Sequence, residues 1–384
     1  MGARKSLNQP SQQVAAPHPA FDQQEKQFAR AFGMLRQAIE DHAFPGAALA
    51  VTHHGSLIAS QGFGRFTYDA GAPAVQADTV FDLASVTKVV ATTAVAMRLY
   101  ERGQLGLEAT LAKFLPEFVS LAPKHQHAAR EAVTLRMLLG HCSGLPAYEK
   151  LFEFADSRDA LIRAALTARL VAPPGTRAEY SDIGFILLGE VLAQQAGLAL
   201  DLFVRQEIFT PLGMLRTRFL PPTEWKPAIP PTEDDQRFRK RIIQGEVNDE
   251  NAYVMRGVAG HAGVFAPVTD LASFAECMLR HGAPLFKSET VQLFTHREPS
   301  PPGTSRALGW DTPSPTESSA GKHFSPLSFG HLGFTGTSVW IDPARRLSVT
   351  LLTNRTWPNR ASQAIREVRP QLHDAIVEAL EERS

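Results

Sequence analysis

Strand-like patterns lie near both ends of this chain, with a long helical stretch between them. Near the start, residues 46–52 are rich in Ala, Leu and Val. Residues 57–62 follow after His53-His54-Gly55-Ser56. Two short apolar runs around a glycine turn predict a β-hairpin. Near the end, residues 337–341 and 347–353 flank Asp342-Pro343-Ala344-Arg345-Arg346 and predict a second one. Residues 104–250 read mostly as helices broken by Pro and Gly, at 134–139, 157–170, 183–195 and 200–208, with little sheet. The economical packing is an α/β (α+β) fold. One central antiparallel sheet is built from both chain ends and flanked by helices, with an inserted all-helical subdomain and a cleft where the two parts meet.

The expected boundaries follow. Residues 1–20 form a disordered leader and 21–384 a single catalytic domain. Its α/β part spans about 21–103 and 251–384, and its helical part about 104–250. Apolar positions Phe28, Phe32, Leu35 and Ile39 mark a helix over 24–41, and a final helix spans 362–382 with Pro370 placed to kink it. The proline-rich stretches 221–231 and 299–315 read as surface loops.

The chain has 384 residues, 44% of them hydrophobic, and a formal net charge of zero. That balance gives no electrostatic footprint for nucleic acid. No run reaches the roughly 20 apolar residues of a membrane span. The leader lacks the apolar stretch of a secretory signal, which points to the cytoplasm, or to the periplasm or exterior if a signal was removed. Cys142 and Cys277 are expected to be unpaired core thiols. The pairs His53-His54 and His125/His127 lack further ligands, so no metal is expected. Oligomeric state is left open.

Three stretches carry potential chemistry. Ser85-Val86-Thr87-Lys88 opens a helix predicted over 85–102 and puts both side chains on one face, a turn apart. A serine there sits at the positive helix end, and a buried, neutral lysine could take its proton. The same residues would also serve as an N-cap with a solvent-facing lysine. A second Ser-x-x-Lys, Ser319 to Lys322, lies in a Ser/Pro/Gly-rich loop and is read as chance. Tyr180-Ser181-Asp182 precedes a helix: Tyr180 could relay a proton, or Ser181 or Asp182 could simply cap. Third comes His331-Leu332-Gly333-Phe334-Thr335-Gly336-Thr337. Its glycines allow close approach to a ligand, and the backbone N–H groups of Phe334 and Ser85 could form an oxyanion hole. The polar run Asn248-Asp249-Glu250-Asn251 is read as an ordinary loop rather than part of the cleft.

Taken in order, these stretches resemble the active-site set of the β-lactamase-related serine hydrolases: class C β-lactamases, penicillin-binding proteins and their esterase relatives. The Ser-x-x-Lys signature is a general marker of that group. Leu138-Leu139-Gly140-His141-Cys142-Ser143-Gly144-Leu145-Pro146, 257–263 and Leu308-Gly309-Trp310 look like the family too. The resemblance covers nearly everything from Gln27 onward. It implies a β-lactamase/transpeptidase-like fold, a small-molecule ester, amide or β-lactam substrate, and no metal or organic cofactor. Ser85 would be the acylated nucleophile, Lys88 and Tyr180 would share the proton transfers, and the amides of Ser85 and Phe334 would hold the oxyanion. Asp182, His331 and Gly333 would bind or support substrate.

Two departures stand out. Asp182 replaces the family's usual Asn, exchanging an amide donor for an acceptor. His331 and Leu332 replace the usual Lys and Thr, weakening recognition of a substrate carboxylate. The expectation is therefore an esterase-like hydrolase that handles neutral esters or amides better than β-lactams. A class C-like β-lactamase, a D-alanyl-D-alanine carboxypeptidase, or a penicillin-binding sensor that acylates without turnover are the alternatives.

Overall fold

The computed structural model describes residues 17–382. Its strands, in chain order, are β1 (His18–Pro19), β2 (Gly46–His53), β3 (Ser56–Gly64), β4 (Phe81–Asp82), β5 (Arg218–Phe219), β6 (Glu233–Asp235), β7 (Arg241–Ile243), β8 (Val264–Ala266), β9 (Phe329–Leu332), β10 (Ser338–Asp342) and β11 (Leu347–Thr353). The central sheet has the order β1-β3-β2-β11-β10-β9. The two expected hairpins are present, and β2 joins β11 antiparallel, so both chain ends build one sheet. Only β1 adds in parallel, against β3, which makes the sheet mixed. The first strand starts at His18, before the start of ordered structure expected at Phe21. Residues 1–16 of the expected leader lie outside the described residues.

Alternation along β2 divides the core. Leu49 and Val51 face a layer with Phe28, Phe32, Leu35, Leu372 and Ile376, from the terminal helices Ala29–Glu40 and Ile365–Glu381. Ala48 and Ala50 face the opposite layer, which includes the helix Val268–Leu279 and the segment beginning at Ser85. Both faces are covered, so β2 reads as a nearly unbroken apolar run, and β11 is buried along its whole length with Ser348, Thr350 and Thr353 set among its apolar residues. Cys142 and Cys277 are buried and unpaired.

Within 104–250, expected to be mostly helical, helices alternate with loops up to Phe209, whereas 210–249 is mostly loop with a 3-10 turn at Thr223–Ala228 and three short strands. The helix Asp182–Ala196 is buried nearly all round. Ser181 caps it, its Oγ accepting from the Gly184 N–H at 3.0 Å, and Gly197 ends it at φ 63°. Two small sheets went unread in the sequence, β4-β8-β5 and β6-β7. Strands of two or three residues leave too little alternation to detect. Among the described residues no single helix is long and apolar enough to cross a membrane.

His373, on the terminal helix, is fully buried. Burial, and then repulsion from Arg369, pull its imidazole down to about 3. The unfolded chain would bind a proton near 6.5 that the folded chain refuses, so this group's contribution is intact above that pH and lost as pH falls toward 3. His373→Phe, beside Phe324, is expected to flatten the acid side of the stability profile. Urea unfolding between pH 7 and 4 should show a slope smaller by up to about 1.4 kcal/mol per pH unit.

Candidate active site

The segment carrying Ser85 is fixed from both sides before the helix begins. The buried Asp82 carboxylate accepts the N–H groups of Ala84 (2.8 Å) and Asn248 (2.6 Å). Two threonine hydroxyls beyond β9 donate to the same segment, Thr335 to the Asp82 carbonyl and Thr337 to the Leu83 carbonyl, each at 2.8 Å. A Cβ on Gly333 would lie 2.4 Å from the Leu83 oxygen, so glycine is what allows this approach. Ala84 has φ 46°, a left-handed conformation costly for a residue with a Cβ. Ser85 follows in a tight 3-10 turn, Ala84–Val86. The chain then runs through a wide π turn, Lys88–Thr93, before regular helix at Ala94–Glu101. The helix predicted over 85–102 is therefore present but irregular where its polar residues lie, as π turns near functional groups often are.

Ser85, Lys88 and Tyr180 meet. The Ser85 Oγ lies 2.9 Å from the Lys88 Nζ and accepts from the Tyr180 hydroxyl at 2.8 Å. Lys88 is fully buried. Its Nζ donates to the His261 carbonyl at 2.9 Å and lies 2.6 Å from the Asp182 Oδ1. Burial depresses its pKa and the Asp182 carboxylate opposes the shift, with the balance below the usual lysine value. Burial, reinforced by Asp182, holds the Tyr180 phenol well above 10. Two groups able to exchange protons thus stand within hydrogen-bonding distance of one hydroxyl.

A cleft of about 1240 Å³ opens over them, lined by Ser85, Tyr180, Asp182, His331, Gly333 and Phe334 among others. All the candidate residues from the sequence gather here. His331 lies within β9, a strand the sequence reading did not resolve. Burial, and then Lys88, draw its imidazole down to about 3, so it is neutral at working pH. The chance Ser319/Lys322 pair is elsewhere, its loop tied to Asp374 on the terminal helix.

One expectation is corrected. Asn248-Asp249-Glu250-Asn251 is not a detached loop: Asn248, Asp249 and Glu250 line the cleft. The Asp249 carboxylate turns inward, accepting from the Ala252 N–H at 2.7 Å to start the helix Glu250–Val254. It also lies 2.8 Å from the His261 Nε2, on the residue whose carbonyl receives Lys88. Gly260 wedges that carbonyl into place. A Cβ there would lie 2.1 Å from the Phe185 oxygen, and Thr92 donates to its carbonyl at 2.6 Å.

Three other contacts were not assigned a role from sequence. The His141 Nδ1 accepts the Ser181 N–H at 3.0 Å, and its ring stacks on Phe185 and lies 4.7 Å from the Tyr180 ring. The Arg306 guanidinium, paired with Asp311, sits 5.5 Å from the Tyr180 ring centre. His261 stands in the glycine-rich 257–263 stretch, whose family likeness was the one available signal.

A mixed α/β fold with this serine–lysine–tyrosine geometry defines a class, and comparison with known proteins agrees. The family model described as Beta-lactamase matches residues 31–372, and the chain belongs to that family. It is 34% identical to the N-acetylmuramyl-L-alanine amidase of Bacillus subtilis (strain 168), over 81% of this chain and 77% of that protein. It is 32% identical to a putative D-alanyl-D-alanine carboxypeptidase of Escherichia coli (strain K12), over 72% of this chain and 69% of the relative. Among solved structures, EstCE1, described as a hydrolase with promiscuous acyltransferase activity, superposes with a TM-score of 0.75. It is 22% identical, and the match covers 92% of this chain and 99% of that one.

Proposed function

We propose that this protein is a serine hydrolase that cleaves ester and amide carbonyls through an acyl-enzyme on Ser85. The observation that carries the reading is the double contact on the Ser85 Oγ, from Lys88 at 2.9 Å and Tyr180 at 2.8 Å, at the floor of an open cleft. Lys88, its pKa depressed by burial, is the first base, because a neutral amine can accept the serine proton. Tyr180 remains a phenol at neutral pH and passes a proton to the leaving alcohol or amine. The oxygen of the attacked carbonyl takes negative charge, which the N–H groups of Ser85 and Phe334 receive. Water then attacks the ester on Ser85 and the sequence reverses, freeing the acid. Asp182 positions Lys88 rather than the substrate.

Relatives named amidase and carboxypeptidase support carbonyl hydrolysis and leave esters, amides, D-alanyl peptides and β-lactams as candidates. The neutral His331 favours the first two. Where the family pattern has a permanent cation this chain has a buried imidazole, and the neighbouring Arg306 is already paired with Asp311. The kcat/KM for p-nitrophenyl butyrate is expected to exceed that for nitrocefin by about tenfold or more, the worth of one lost charge-assisted hydrogen bond. Faster nitrocefin turnover would return the reading to a β-lactamase.

A further inference from the structure

We propose that Arg355, Arg366 and Arg369 form a binding site for an oxyanion carried by the substrate, so that esters and amides bearing an anionic group at that end of the cleft are preferred over their uncharged counterparts. The inference rests on the Ser85 reading only for the word substrate; the anion site stands on its own geometry. All three residues line the same cleft as Ser85. They reach it from two elements, Arg355 from just beyond β11 and the other two from successive turns of the helix Ile365–Glu381.

The three share the lack of a counter-charge. Of the cleft's other arginines, Arg360 is neutralised by Glu233 and Glu250, each at 2.7 Å, and Arg306 by Asp311, while Arg237, unpaired among the described residues, is exposed. Among the described residues, none of the three forms an ion pair. Arg355 and Arg369 are held by carbonyls instead. Arg355 donates to the Phe334 carbonyl at 2.8 Å and the Ser362 carbonyl at 2.9 Å, and Arg369 to the Thr337 carbonyl at 3.3 Å. Those bonds fix orientation without cancelling charge. Arg369 is only 4% exposed, and its Nε has no hydrogen-bond partner.

A buried, unneutralised guanidinium is costly unless something anionic joins it. Here the cost falls in a solvent-connected cleft, where the missing partner can arrive with a ligand. Burial, and then the nearby Arg355, draw Arg369 down to about 9, which still leaves it cationic at neutral pH. Guanidinium planes match the paired oxygens of a carboxylate or phosphate. The placement also suits a substrate group rather than a remote effector. The Arg355 guanidinium lies 4.6 Å from the ring centre of Phe334, the residue whose N–H is assigned to the oxyanion.

Thermal shift on the full-length Ser85→Ala protein tests binding without turnover. Sodium phosphate or sodium adipate should raise Tm above sodium chloride at equal ionic strength. Arg366→Gln in that background should remove at least half of the rise; Arg366 is exposed, so its loss should not unfold the chain. A larger rise with phosphate assigns a phosphate group, and a larger rise with adipate a carboxylate. Equal Tm in all three salts, or a rise that survives both Arg366→Gln and Arg355→Gln, overturns the proposal. With the active enzyme, the kcat/KM ratio of mono-p-nitrophenyl adipate to p-nitrophenyl hexanoate should fall about tenfold in Arg366→Gln. A protein that hydrolyses neither ester yet keeps the salt-specific rise would refute the Ser85 reading and leave the anion site intact.

Discussion

Ser85→Ala is expected to lower kcat for p-nitrophenyl butyrate by about 10⁴-fold or more, the scale seen when a nucleophile is removed from a coupled catalytic group. The loss should be this large because Lys88 and Tyr180 both converge on that one oxygen and have nothing else to activate. Residual hydrolysis would come from water attacking a carbonyl polarised by backbone N–H groups. The fold should be untouched. The backbone around Ser85 is held by Asp82, Thr335 and Thr337 rather than by its hydroxyl. A circular dichroism spectrum like that of wild type, together with lost turnover, separates chemistry from folding. Turnover within tenfold of wild type would remove Ser85 as the nucleophile.

Lys88→Met, which keeps most of the volume and removes the amine, is expected to cost about 10³-fold in kcat/KM, within the usual range for a general base. A base must be neutral to act, so the wild-type rate should climb with pH through the Lys88 pKa. Asp182 opposes the depression of that pKa by burial. Asp182→Asn removes the opposing charge, so the pKa falls further and the rising limb of the kcat/KM profile moves to lower pH, by about one unit or more. Two outcomes would contradict this account: a limb that moves upward, or a Lys88→Met enzyme with an unchanged profile.

The fold was largely legible because its central strands carry their own signal. Strands β2 and β11 are long, rich in apolar and β-branched residues and bounded by turn residues, and their position at opposite chain ends implied that they pair. Strand β9 was not legible. Phe329-Gly330-His331-Leu332 offers one glycine and one histidine in four residues. Its glycine is explained only by the neighbouring strand β10, whose Trp340 ring and Val339 oxygen lie 2.4 and 2.5 Å from where a Cβ would be. The helix after Ser85 was read from apolar spacing, which does not separate a regular turn from the wide one at Lys88–Thr93 over so few residues.

In the candidate site, the residues within short spacings were found and those assembled by tertiary contact were not. Ser85 and Lys88 announce each other three positions apart. Asp249 sits in a polar run of a kind that usually faces water, and its inward turn depends on His261, twelve positions away and across the cleft wall. Arg355 and the pair Arg366/Arg369 share no motif. They converge because the chain leaves β11, crosses under Phe334 and returns as a helix, a path that charge counting along the sequence does not reveal.

The central claim is an acyl group on Ser85, and the most direct measurement is to trap it. Wild-type protein mixed with excess p-nitrophenyl butyrate, quenched in acid within milliseconds and digested, should yield a butyrylated peptide whose fragment masses place the adduct on Ser85. Ser85→Ala should yield none. A butyryl group found on another residue in turnover-competent protein, with Ser85 unmodified, would contradict the account.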